Sequence, residues 1–389
     1  MATTLINAKV ISPEETLEGA TVVIGDDGRI AYLGAAEDAP QVEGPSYDLR
    51  GRLLVPGFID IHVHGGHGVA FGQGEALKSD LEEYAQWVAT RGITGFLLSI
   101  AAPDAESLAA LIRQYAAIFK EGVQGAEPLG IHLEGPFLSL EKKGAFNPAW
   151  LRKPNLEEAQ AYLDAGEGWI RQMTLAPELP GAKEVAALFR AHGIVVALGH
   201  TNAEYDLASA ALRGDFTHVT HTFNAQRGFS HRAPGVFGAI LASDGVTAEL
   251  IADTVHVHPA AMKILIRCLG TDRVVLITDA MAAAGLHDGT YDLVGHKVIV
   301  REGHATLENG TIAGSTATLD QCVHNMNAIV GLPLPEAIKM ATLNPARAMG
   351  FAERLGNLAI GKDASMAVID EQAKVYMTFV KGQAVYNQL

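Results

Sequence analysis

Eight short runs rich in β-branched and aliphatic residues recur between Phe58 and Asp279, separated by longer segments of helical period. The runs are Phe58–His64, Ile93–Ile100, Leu129–Glu134, Ile170–Ala176, Ile194–Gly199, His218–His221, Ala248–Asp253 and Val274–Asp279. Helical candidates between them include Lys78–Arg91, Ala105–Phe119, Ala182–His192 and Pro259–Leu269. Buried strands that alternate with helices imply parallel pairing, because parallel neighbours need a crossover connection. Eight such units predict an α/β fold of the (β/α)8, TIM-like barrel type. An open Rossmann-type sheet would carry a glycine-rich phosphate turn after its first strand, and that turn is missing.

The segments left over are β-like. Thr4–Val10 and Ala20–Leu33 read as strands, the latter turning at Asp26-Asp27-Gly28. Thr290–Thr311 is strand-like again, and helical stretches follow around Ala317–Val330 and Pro335–Met349. Gly356-Asn357 opens a last block, Ala364–Tyr386, rich in β-formers. The expectation is a small β-sandwich domain from both chain ends (residues 1–55 and 356–389) on a barrel of residues 56–355.

Composition excludes several classes. The formal charge of −15 argues against nucleic acid and anionic membranes as partners. An anionic substrate would need a local basic pocket. No apolar stretch reaches the length of a bilayer span, and MATTLINAKV lacks the pattern of a secretory signal. The two cysteines, Cys268 and Cys322, are far apart and outside any metal-type spacing. A reducing, cytoplasmic location is therefore expected.

The chemistry is written at the strand ends. In a β/α barrel the active site lies at the C-terminal ends of the strands. His62 and His64 end the first run, Glu134 the third, His221 the sixth and Asp279 the eighth, while His200 follows the fifth. Residues i and i+2 of a strand share a face, so His62 and His64 can point at one ion. Six imidazoles and carboxylates thus converge on one mouth, where burial without a cation would be costly. Ligands of this kind without thiolate suit zinc, iron, cobalt or manganese as the divalent ion. His67, His192, His218, His287 and His304 lack such placement and read as ordinary hydrogen-bonded histidines.

The segments Pro56-Gly-Phe-Ile-Asp-Ile-His-Val-His, His132-Leu-Glu-Gly-Pro-Phe, Gly199-His-Thr-Asn-Ala, Thr220-His-Thr-Phe-Asn-Ala, Ile251-Ala-Asp-Thr-Val-His, Thr278-Asp-Ala and Met340-Ala-Thr-Leu-Asn-Pro-Ala-Arg-Ala cover nearly the whole chain. Together they resemble the N-acetylglucosamine-6-phosphate deacetylase family of the amidohydrolase superfamily. The resemblance implies that Glu134, His200 and His221 hold the catalytic metal and that Asp279 transfers protons. It implies substrate contacts from Asn224, Ala225 and His256, with main-chain contacts from Ala145 and the Ile312-Ala313-Gly314 loop. Arg232 would pair with the sugar phosphate from the neighbouring subunit of a homodimer. Members that retain both first-strand histidines, as here, can hold a second ion bridged by Glu134. One departure stands out: Phe146 occupies a position where the family usually has histidine.

The expected reaction is metal-dependent hydrolysis of the acetamide of N-acetylglucosamine 6-phosphate, with the galactosamine epimer or a related N-acyl substrate as the alternative. A dihydroorotase-like enzyme is disfavoured because Glu134 stands where many of those enzymes use a carboxylated lysine. A noncatalytic sugar-phosphate sensor is disfavoured because Asp279 and the ligand set are all retained.

Overall fold

The computed structural model describes residues 2–13, 15–73 and 76–389. Eight parallel strands form the central sheet: β1 Phe58–Val63, β2 Ile93–Ile100, β3 Glu127–Glu134, β4 Ile170–Leu175, β5 Val195–Leu198, β6 His218–Val219, β7 Thr247–Ile251 and β8 Val274–Ile277. They pair in sequence order from β1 to β8. The ring closes where Val63 pairs with Ala280 and the Asp279 N–H donates to the His62 carbonyl at 2.9 Å. The predicted barrel is the observed one.

Interior and exterior are set by more than simple alternation. Strict alternation would put Ile59 and Ile61 on the face opposite His62. Instead the β1–β2 ladder gains a residue between Asp60 and Val63. Ile59 and Ile61 then pack with Leu97, Leu129, Val275 and Ile277 in the barrel's apolar layer, beneath an imidazole layer. Phe58 and Val63 instead pack with residues of the surrounding helices. A second irregularity, at Gly130 of β3, does the same for Leu129 and His132. Bulges of this kind re-aim side chains next to functional sites.

The chain ends pair as one continuous eight-stranded sheet. The strands of residues 3–11, 16–24 and 30–34 join those of 53–56, 366–369, 375–380 and 383–387, and residues 46–48 pair beside the first. Its core includes Leu5, Val22, Leu54, Met366 and Phe379. Beyond β8, a three-stranded antiparallel sheet (289–293, 296–301, 304–306) stands at the barrel mouth. The helical stretch expected over Pro335–Met349 is two helices, Leu334–Ala341 and Leu343–Ala348, broken at Thr342 (φ −130°, ψ −79°). The stretch around Ala317–Val330 begins as an α-helix at Leu319–Asn325 and widens to a π-helical turn over Met326–Val330.

Gly130 has φ +144°, and a Cβ there would lie 2.5 Å from the Trp169 carbonyl oxygen. Gly130→Ala should therefore destabilise the protein by about 1–3 kcal/mol, seen as a lower denaturation midpoint. An unchanged midpoint would mean that the β3 bulge does not need glycine.

Candidate metal centre

The strand ends place the predicted groups together in two sets. Glu134, His200 and His221 form one, and His62, His64 and Asp279 the other. Glu134 belongs to both by distance. Its Oε1 lies 3.1 Å from His200 Nε2, 3.0 Å from His221 Nε2 and 3.4 Å from His62 Nε2. Its Oε2 lies 3.0 Å from His64 Nε2. Asp279 Oδ1 faces the same two first-strand histidines, at 3.5 and 3.4 Å. Glu134, His62, His64, His200 and His221 are buried.

The backbone is bent to achieve this. His200, His221 and Asp279 have φ of +45°, +26° and +50°, and Phe223, Ala225 and Thr254 at the same mouth are also positive. Left-handed backbone is uncommon outside glycine and clusters at functional sites.

Hydrogen bonds fix which ring nitrogens face inward. The Lys142 carbonyl can only accept, so His200 Nδ1–H donates to it at 2.8 Å and Nε2 carries the lone pair. Glu249, fully buried, accepts from His62 Nδ1–H at 2.8 Å, Gln172 Nε2 at 2.7 Å and the His221 backbone N–H at 2.9 Å, with His218 Nε2 at 3.2 Å. His62 Nε2 is thereby left bare and without a hydrogen-bond partner among the described residues. His200 Nε2 and His221 Nε2 lie 3.0 Å apart, both against Glu134 Oε1, and His221 Nδ1 has no hydrogen-bond partner among the described residues, an arrangement that calls for positive charge among these groups. Electrostatics says the same. Burial resists the charged form of His62, yet Glu249, Glu134 and Asp279 outweigh it and drive its pKa well above the ordinary value. His64 is also opposed by burial, but Asp279 and Glu134 push it up to about 9. The donor set fits one or two divalent transition ions.

A cavity of ≈ 260 Å³ opens above these groups. Ala145, Asn224, Ala225, His256, Ile312 and Gly314 are among the residues that line it. Ala313 does not: its N–H is given to the Ala305 carbonyl at 3.1 Å and its methyl is buried. Arg232 is not on this cavity either. It is exposed and lines a separate hollow with Glu204, Asp206 and Arg227. None of the described residues lining the metal-side cavity is Lys or Arg. Phe146 sits edge-on to the His200 ring, 5.2 Å between centroids, and covers it with hydrocarbon.

Sequence reading missed the supports. Glu249 is an acidic residue in the middle of a buried strand, which was the available signal. His218 is a hydrogen-bonded core histidine, as expected, but its partners Glu249 and Thr247 make it part of the floor of the site. Asp253 accepts from His256 Nδ1–H at 2.6 Å and from the backbone N–H groups of Val255 and His256. Burial opposes the charged form of His256, but the bond to Asp253 prevails and raises its pKa.

A closed eight-stranded barrel with a histidine–carboxylate centre at its C-terminal mouth defines a class, and the chain belongs to it: residues 53–385 match the amidohydrolase family, of which this protein is a member. Within that family it is similar over most of its length to N-acetylhexosamine-6-phosphate deacetylases. It is 35% identical to the N-acetylglucosamine-6-phosphate deacetylase of Vibrio furnissii, over 97% of this chain and 94% of the relative. It is 36% identical to the N-acetylgalactosamine-6-phosphate deacetylase of Escherichia coli O157:H7, over 85% and 87%. The structure of the Mycobacterium smegmatis N-acetyl-D-glucosamine-6-phosphate deacetylase in complex with N-acetyl-D-glucosamine-6-phosphate superposes with a TM-score of 0.91 at 35% identity, covering 99% of this chain and 100% of that one.

The two ligand sets should be separable. Metal-stripped protein should take up at most two equivalents of zinc, and His200→Ala should lose the tighter one. His62→Ala should keep the tighter equivalent and lose the weaker. Loss of all binding in His62→Ala, or unaltered binding in both variants, would contradict two sites joined by Glu134.

Proposed function

We propose that the enzyme hydrolyses the acetamide of N-acetylglucosamine 6-phosphate, giving acetate and glucosamine 6-phosphate in amino-sugar breakdown. The observation that carries this reading is the cavity itself: a buried ligand set and Asp279 at its floor, neutral hydrogen-bonding groups on its wall, and full-length similarity to deacetylases of this substrate. Glu134, His200 and His221 are the holders of the principal ion, and His62 and His64 those of an auxiliary one. A bound divalent ion, most simply zinc, polarises an amide carbonyl and lowers the pKa of water toward about 7.

The chain supplies the proton traffic and the positioning. Asp279 accepts the proton of the attacking water and hands it to the amide nitrogen as the C–N bond breaks. Asp253 fixes the His256 ring, leaving its Nε2 for a sugar hydroxyl. Asn224, Ala225, Ala145 and the 312–314 loop surround the ring, Ala313 acting only through the loop's shape. The phosphate is remote from the bond broken, so its binding energy serves to position the acetyl group. The cavity wall has no Lys or Arg among the described residues to receive that phosphate. This supports a homodimer in which the partner supplies Arg232, whose guanidinium suits bidentate phosphate binding. The cytoplasm is the matching location for such an intracellular metabolite, and no helix of the described residues is long and apolar enough to cross a membrane.

The galactosamine epimer is the second reading, favoured by the similarity to the Escherichia coli enzyme. Acetate release from both N-acetylhexosamine 6-phosphates decides between them. Glucosamine preference is expected, and exclusive action on the galactosamine substrate would replace the first reading. Asp279→Asn is nearly isosteric but cannot accept a proton, so kcat should fall at least about 100-fold, with substrate affinity changing far less. Turnover within a small factor of wild type would assign the proton transfer elsewhere. For the dimer, Arg232→Ala and Asp279→Asn chains should be mixed under conditions where subunits exchange. Each mixed dimer then contains one intact site, and activity should rise well above the mean of the two variants. Activity fixed at that mean would place Arg232 outside a shared site.

A further inference from the structure

A second cavity, of ≈ 350 Å³, lies beside the metal-side one. Its lining is mixed: the apolar side chains Phe71, Leu77, Ala102, Leu111 and Trp150 form one part, and Gln73, Ser99, Ser107 and Gln114 stand beside them. Three residues, His64, Leu293 and Val294, line both cavities, so the wall between them is one layer of side chains thick. Around the ring, the second cavity is built from the segments that follow β1 and β2. The polar groups assigned to the sugar, Asn224 and His256, follow β6 and β7. In an eight-membered ring β2 and β6 are diametrically opposite. An amide whose amine substituent lies toward β6 and β7, with its carbonyl over the metal ligands, therefore directs its acyl substituent toward β1 and β2.

The wall is a hairpin tip. Leu293 pairs with His296, and Val294-Gly295 make the two-residue turn, with φ of +40° and +80°. Such a turn matches strand twist but requires left-handed backbone at both positions, which a β-branched valine adopts only under strain. A glycine would be the unstrained residue at position 294. Valine instead places an isopropyl group where the two cavities meet. Trp150 backs the tip, since a Cβ on Gly295 would come within 2.9 Å of its ring.

The geometry points to an acyl-chain subsite: the second cavity takes the alkyl chain of N-acyl groups longer than acetyl, and the Leu293–Val294 tip sets the chain length admitted. This rests on the deacetylase reading of the neighbouring site. It extends the substrate class from acetamides to short fatty amides of the same amino-sugar phosphate. The bond broken and the proton transfers are unchanged, and a longer carboxylic acid leaves in place of acetate.

The test compares kcat/KM for N-butyryl and N-acetyl glucosamine 6-phosphate with the metal-loaded full-length enzyme. Val294→Gly relieves the turn and opens the wall. It should raise the butyryl-to-acetyl ratio at least about tenfold over wild type, because each buried methylene contributes about fourfold. Filling the cavity with Ala110→Phe, or with Ala102→Phe, in that background should abolish the gain. A ratio unmoved by Val294→Gly, or a gain that survives both filling variants, overturns the subsite while leaving the deacetylase reading intact. Filling variants that slow acetyl turnover without altering the ratio would also overturn it, marking the cavity as an exit for acetate. Wild-type enzyme that releases neither acid from either substrate would remove the reading of the site, and the subsite with it.

Discussion

One buried carboxylate organises this protein. Glu134 is 2% exposed, and its two oxygens are approached by four imidazoles drawn from β1 and from the ends of β5 and β6. Burying an ionised carboxylate costs several kcal/mol unless it is paired. Here burial is outweighed by His62 and by bonds to His200 and His221, which hold Glu134 well below the usual carboxylate range. Below it, Glu249 repeats the arrangement at 0% exposure, joining His62, Gln172, His218 and the backbone of His221. The inner carboxylate orients the histidines, and the outer one faces both ligand sets. Removing either would leave buried polar groups uncompensated, so the two act as one network.

The fold serves this network by departing from regularity at chosen places. The barrel's lower layer is hydrocarbon and its upper layer is imidazole, and the change between them occurs through bulges in β1 and β3. Above the bulges, left-handed residues at 200, 221 and 279 turn side chains inward that an extended strand would send elsewhere. Such strain persists only where surrounding structure over-determines it. The closed ladder and the packed layer under it supply that constraint.

Much of this was legible in the sequence. The alternation of β-rich runs with helical segments gave the barrel, and its rule that chemistry sits at strand ends located His62, His64, Glu134, His200, His221 and Asp279. Periodicity could not show the bulges, because an inserted residue changes facing without changing composition. Strict alternation placed His62 and His64 on one face correctly but would have placed Ile59 and Ile61 on the opposite one. Glu249 lies in mid-strand, away from the strand ends, and Asp253, although it closes the seventh run, acts only through His256, so neither had been assigned a role. Ala313 was expected at the cavity wall, but it spends its N–H on Ala305. The break at Thr342 had a signal in Pro345, which has no N–H for the Ala341 carbonyl four residues back and so cannot continue the first helix.

The centre rests most on Glu134 lying within reach of both ligand sets. The direct measurement is anomalous X-ray scattering from crystals of the zinc-loaded enzyme, collected on both sides of the zinc absorption edge. The account predicts a strong peak among Glu134 Oε1, His200 and His221, and a weaker one among Glu134 Oε2, His62, His64 and Asp279. A peak that leaves Glu134 uncoordinated, or zinc bound outside both sets, would contradict it.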